Sequence, residues 1–448
     1  MNLFGIARKS IRQRAVSSSL TAFSVALGVM LMVSVLVIHG IVERVFSQRS
    51  IGYDLVVGPK GSDLQLVLNT VYRVSQPIEN LPYLYYQELL EDPRVEEAIP
   101  FCLGDVTQEG AFPLVGTNER YFELEYAPGN NFALRKTGHG FQKSFDAIIG
   151  SQVAKTNGWT EGSQFMIVHG GAESDHVHDE KFTVVGILAP TGTPNDKTVF
   201  VHLNGFYAVS GHEKPPEEAL DKLKVFFAER EDIQKLTLAD MGEPHSHDHD
   251  HGADGHEHHH DEPLSPYLKE VTAVLLITKS VVASRFLAAE LKEGVQAQAV
   301  NPIIAMRYLM DVFVGNVRHM LLFLTAMIVI VSFVGIFVSI YNSMNDRKRE
   351  IAIMRALGAS RQTVLSIIVA ESILLCVIGG VLGLLLGHGL VFAAAPIVED
   401  RSGFLINPYA FEWVEIWLLP ILVGIAAVVG FIPGMSAYRT DVADSLSR

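Results

Sequence analysis

Residues 331–390 read VSFVGIFVSIYNSMNDRKREIAIMRALGASRQTVLSIIVAESILLCVIGGVLGLLLGHGL. Two apolar segments, the first continuing a run that begins near 320 so that each is long enough to cross a hydrocarbon core of about 30 Å, are joined by a short polar stretch. That connector carries Arg347, Lys348, Arg349, Arg355 and Arg361 against Asp346 and Glu350. Lysine and arginine are retained on the cytoplasmic side of short membrane loops, which places the connector there. Ile351, Ile353, Met354 and Leu357 can share one face of a short helix. Gly358 is placed to stop that helix, and Ser360 to cap the next. A plainly basic turn between two spans accounts for the same composition.

Outward from the connector, the spacing predicts four transmembrane helices, at 18–42, about 320–341, about 364–395 and about 414–432. The third carries Gly379, Gly383 and Gly387, a small-xxx-small ridge that permits close helix packing. Residues 1–17 hold Arg8, Lys9, Arg12 and Arg14 without an acid and read as a cytoplasmic amphipathic segment. The first apolar run is too long for a signal peptide and is followed by IHGIVERVF, with no small-residue cleavage site. It is expected to stay as an anchor. Residues 43–317 are polar and acidic, and lie between the first and second spans. Strand-like runs at 53–57, 165–168, 182–188 and 199–202, with helix-like runs at 83–91 and 281–292, predict a mixed α/β extracytoplasmic domain. The fold class is therefore an α-helical membrane protein with four transmembrane helices and one large mixed α/β domain. Both termini are expected in the cytoplasm.

The connector and the third span resemble the FtsX-like permease domain of ABC transporters, the family of MacB and of the lipoprotein-release permeases. REIAIMRALGAS at 349–360 carries the resemblance, joined by GFIPGMSAYRTDVADSL at 430–446. FDAIIGSQVAKTNGWTEGSQFMIV and FTVVGILAPTGTPNDKTVFVHL resemble, more loosely, the MacB-like periplasmic core domain. The resemblance implies a bacterial inner-membrane protein whose permease domain fills 318–448. It also implies that about 345–358 forms a coupling helix that docks on a separate ABC ATP-binding subunit. Arg349, Glu350, Ile353, Met354, Arg355, Leu357 and Gly358 would make that contact. A homodimer is implied as well, with ATP and Mg held by the partner.

Composition agrees with a membrane protein. The 448 residues are 49% hydrophobic, with mean hydropathy +0.26. A formal charge of −14 argues against nucleic acid as a partner, leaving lipid and protein. G-x-x-x-x-G-K-[ST] does not occur, so no phosphate loop is present and no catalytic role is expected of this chain. Cys102 and Cys376, the two cysteines, provide no disulfide framework.

HSHDHDHGADGHEHHH at 245–260 holds eight of the 17 histidines: His245, His247, His249, His251, His256, His258, His259 and His260. Imidazole binds zinc, copper or nickel, and neighbouring carboxylates raise the local cation concentration. The run has no fixed tetrahedral spacing, and at about 240–266 it reads as a disordered insertion. His169, His176 and His178 form a smaller group around a GG turn. A zinc site and an ordinary polar loop both fit them. No cofactor is assigned beyond zinc at the His-rich loop. Zinc-linked transport is the preferred substrate expectation, with a periplasmic substrate or metal-binding protein as a further partner. Lipoprotein release or tripartite efflux is the alternative within the family, and a membrane-anchored metal sensor or buffer the alternative outside it.

Overall fold

Helix α1 (Ala15–Phe46) opens the computed structural model, an almost wholly apolar rod of 32 residues. The structure describes residues 5, 9, 11–13, 15–46, 52–74, 76–169, 180–209, 212, 214–242, 264–346, 353, 358–402 and 411–439. They fall into two units, each with its own core: an α/β unit built mainly from 45–309, and a helical unit from the chain on either side. The α/β unit ends at Leu309, short of the boundary at 317 drawn from the sequence. The reason is the helix before it, whose Met306 is buried in the α/β core.

In chain order the α/β unit contains β1 (Leu55–Gly58), α2 (Asp63–Thr70), α3 (Tyr83–Glu91), β2 (Val95–Phe101), β3 (Val106–Thr107), β4 (Leu114–Thr117) and β5 (Asp146–Ile149). There follow β6 (Gln164–Phe165), β7 (Ile167–Val168), β8 (Phe182–Ile187), β9 (Val199–His202), α4 (Leu203–Ala208) and α5 (Pro216–Phe226). It closes with β10 (Ala273–Thr278), α6 (Val281–Glu293), β11 (Gln298–Val300) and α7 (Pro302–Leu309). Strands β11-β1-β10-β2 form an antiparallel sheet, and β4-β9-β5-β8-β6 a mixed one.

Both sheets are covered on both faces. Leu55 and Val57 point into one apolar cluster and Val56 into another; Val199 and Val201 divide from Phe200 in the same way, as do Ala147 and Ile149 from Ile148. Successive strand side chains alternate between faces, so a strand buried twice reads as an unbroken apolar run. DAII and VFVH are such runs. The 165–168 run, expected as one strand, is two. Phe165 pairs with Phe182 of β8, whereas Ile167 and Val168 pair with Thr107 and Val106 of β3, and the chain changes sheets at Met166.

Helix α6 begins at a clear cap, where Ser280 Oγ accepts the Ala283 N–H at 3.1 Å. Ser280→Ala is expected to lower the stability of this unit by about 1 kcal/mol. A denaturant titration would show it as an earlier midpoint with an unchanged slope.

The helical unit packs α1 with α8 (Gly315–Asp346), α9 (Arg361–Ser402) and α10 (Glu415–Arg439). Among the described residues, these four elements supply the helices long and apolar enough to cross a membrane. Each of α8, α9 and α10 runs past the apolar segment read from the sequence. The bundle core takes Val25, Val29, Val33 and Val37 from α1, one stripe at four-residue steps. Phe333 and Ile336 of α8, Val364 and Cys376 of α9, and Leu422 of α10 meet it.

Candidate functional site

Between α8 and α9 lies the basic connector. Ile353 is helical and exposed, and Gly358 has φ +103°, a conformation that favours glycine and ends a helix. Ser360 caps α9, its Oγ accepting the Thr363 N–H at 3.2 Å. Arg349, Glu350, Met354, Arg355 and Leu357 lie outside the described residues.

Gly379, Gly383 and Gly387 face α1. A Cβ at Gly379 would stand 2.7 Å from the Ala22 carbonyl, one at Gly383 2.7 Å from that of Ala26, and one at Gly387 2.9 Å from Val33 Cβ. Each glycine admits one turn of α1, which lets the two backbones approach closely. Polar groups tie the bundle further. Ser332 Oγ donates to the Ser24 carbonyl at 3.1 Å, and Arg318 donates to His39 Nε2 at 2.9 Å. His388 pairs with the fully buried Glu415 at 2.8 Å. Glu371 is buried in the bundle.

A second constellation belongs to the α/β unit. Its anchor is Asp105, which follows β2 through Cys102, Leu103 and Gly104. Because β3 and β7 are antiparallel with Val106 opposite Val168, the residue before β3 faces the residue after β7. Asp105 Oδ1 thus meets His169 Nδ1 at 2.9 Å. His212, beyond the end of α4, brings Nε2 to 2.7 Å from Asp105 Oδ2. The His212 ring stacks on Phe206 at 4.2 Å between centroids, and its Nδ1 lies 2.6 Å from the Phe206 carbonyl. One ligand atom from each of the three residues falls within 4.8 Å of the others.

Burial acts to raise the Asp105 pKa, but hydrogen bonds and charge from His169 and His212 outweigh it and hold the carboxyl well below the usual range. His169 is shifted upward, chiefly by its bond to Asp105. The three line a cavity of about 260 Å³ with Cys102, Lys214 and Glu270. Cys102 is a buried thiol pushed up to about 12 by burial, which keeps it protonated. His169 was named in the sequence; Asp105 and His212 were not, and neither CLGDV nor SGHEK carries a motif. His176, His178 and the eight histidines of 245–260 lie outside the described residues.

Residues 322–442 match the family profile of the FtsX-like permease C-terminal domain, and 18–236 that of the MacB-like periplasmic core domain. The chain belongs to the MacB/FtsX-like permease family of ABC transporters. In this MacB/FtsX-like chain the His-rich run falls between the two matches. It is similar to the macrolide export ATP-binding/permease protein MacB of Bordetella avium, 33% identical over 28% of this chain and 19% of that protein. It is also similar to the ABC transporter permease YtrF of Bacillus subtilis, 32% identical over 29% of this chain and 32% of that one. The matched stretches therefore span a third or less of those relatives' lengths. Among solved structures, the periplasmic region of MacB from Actinobacillus actinomycetemcomitans aligns with 58% of this chain and 94% of its own, at 12% identity and TM-score 0.32.

Proposed function

We propose that this chain is the membrane subunit of a MacB/FtsX-type ABC transporter, driven by ATP hydrolysis on a separate subunit and itself without covalent chemistry. One observation carries this: the permease match runs over the basic connector between two helices of membrane-crossing length. Arg349, Glu350, Ile353, Met354, Arg355, Leu357 and Gly358 dock on the ATPase, with the apolar face as anchor and the arginines as rim. Positive-inside topology puts the connector and both termini in the cytoplasm and the α/β unit outside. Two copies pair with two ATPases, and the Gly379–Gly383–Gly387 contact transmits motion from α9 to α1. The four spans lie in the bacterial inner membrane.

The test is co-purification in detergent with the ATP-binding subunit encoded beside this chain. Arg349→Glu/Arg355→Glu is expected to cut association and ATP turnover at least tenfold while leaving the thermal unfolding profile unchanged. Equal association by the charge-reversed protein would sink the coupling role.

Metal is the substrate class placed first, on the ligand density of His245–His260. Zinc should then change ATP turnover, and replacing the run should remove that response. Efflux is the second reading, supported by the macrolide-export name of MacB relatives; co-purification of an outer-membrane channel or an acylated protein would favour it or lipoprotein release. A metal sensor or buffer without transport would retain its function after the charge reversal.

A further inference from the structure

We infer that Asp105, His169 and His212 form a binding site for one divalent transition-metal ion, with zinc as the best match. The site uses none of the histidines of the 245–260 run, and its existence does not depend on ATPase coupling.

The orientation of His212 carries the inference. The Phe206 carbonyl can only accept, so the 2.6 Å contact puts a proton on Nδ1. With Nδ1 so held, Nε2 is turned toward the carboxylate, 2.7 Å from Asp105 Oδ2. The Asp105 and His212 side chains are both 2% exposed, and one ligand atom from each of Asp105, His169 and His212 lies within 4.8 Å of the others, as ligand atoms converging on a common point do. A backbone carbonyl holding one imidazole nitrogen so that the other is presented to metal is a standard outer-shell arrangement.

Ligand chemistry selects the ion. Two imidazoles and one carboxylate suit Zn²⁺, and three protein ligands with one open position are the pattern of accessible zinc sites. Ligand atoms about 2.0–2.1 Å from zinc stand roughly 3.3 Å apart in a tetrahedron. The three ligand atoms, one per residue, lie within 4.8 Å of one another, and rotation of the half-exposed His169 side chain can draw them toward that spacing. The fourth position faces the 260 Å³ cavity, where Lys214 is paired with Glu218 and Glu270 with Lys222. These ion pairs leave the incoming metal to be neutralised by Asp105.

The experiment uses the full chain in detergent, with the eight histidines of 245–260 changed to serine so that the run cannot mask the site. Zn²⁺ is titrated against a chromogenic chelator, and Co²⁺ is added separately to read coordination from its visible spectrum. The expected result is one ion per chain and the intense absorption of a four-coordinate cobalt site. Asp105→Asn, His212→Gln and His169→Gln should each weaken binding at least about 100-fold, beyond the 10–100-fold typical of a lost outer-shell partner. The His169 side chain is 57% exposed, so His169→Gln removes a ligand without opening the core even if the two buried variants misfold. Sub-stoichiometric binding in the serine background, or affinity unchanged by His169→Gln, would overturn the site and leave a carboxylate–imidazole network only. No ATPase enters the assay, so failure here is distinct from failure of the coupling role.

Discussion

Gly383→Leu is expected to destabilise the helical unit by about 3 kcal/mol or more, the upper end of what inserted methylenes cost a packed interior. The cause is backbone, not side chain. A Cβ at 383 would stand 2.7 Å from the Ala26 carbonyl and 2.6 Å from Val29 Cβ. Neither can rotate away, so α1 and α9 must separate, and the Gly379 and Gly387 contacts on the same ridge open with them. Gly389→Leu is the control, since a Cβ there meets nothing within 4 Å. Thermal unfolding in detergent should show a large loss for the first and little change for the second. Two variants of equal stability would mean that the glycine ridge is not the contact between α1 and α9.

Much of this architecture is legible in the chain because it is local. The apolar lengths of α8, α9 and α10, the glycine that ends the connector and the serine that caps α9 each need only a few neighbouring residues. So do α3, which coincides with the helix-like run 83–91, and the doubly buried run VFVH. What stayed hidden depends on partners far along the chain. Strand β10 pairs with β2 across more than 170 residues, and neither run announced the other. The 165–168 segment showed its apolarity but not that its halves join different sheets. Asp105 and His212 are the sharpest case. Only the β3–β7 register and the position of α4 bring them to His169, whereas the conspicuous histidines of 245–260 advertise metal chemistry by composition alone.

The hydrogen-bonded pair of His388 and Glu415 is equally invisible in the sequence, and it leads to the second large effect. His388→Ala is expected to cost about 3–5 kcal/mol, the usual penalty for leaving a buried charge without its partner. Glu415 is fully buried, and apart from His388 its oxygens hold the Glu412 N–H at 3.0 Å at the start of α10. One backbone donor cannot replace the imidazole. Glu415→Gln should be milder, because the amide oxygen can still accept from either partner. The double variant His388→Ala/Glu415→Leu should recover much of the single loss, since replacing both members of a buried pair by apolar groups is often close to neutral. Reversible unfolding in mixed micelles gives all four corners of the cycle. A coupling energy of several kcal/mol is the expected result; additivity of His388→Ala and Glu415→Leu within about 0.5 kcal/mol would show that the two side chains do not support each other.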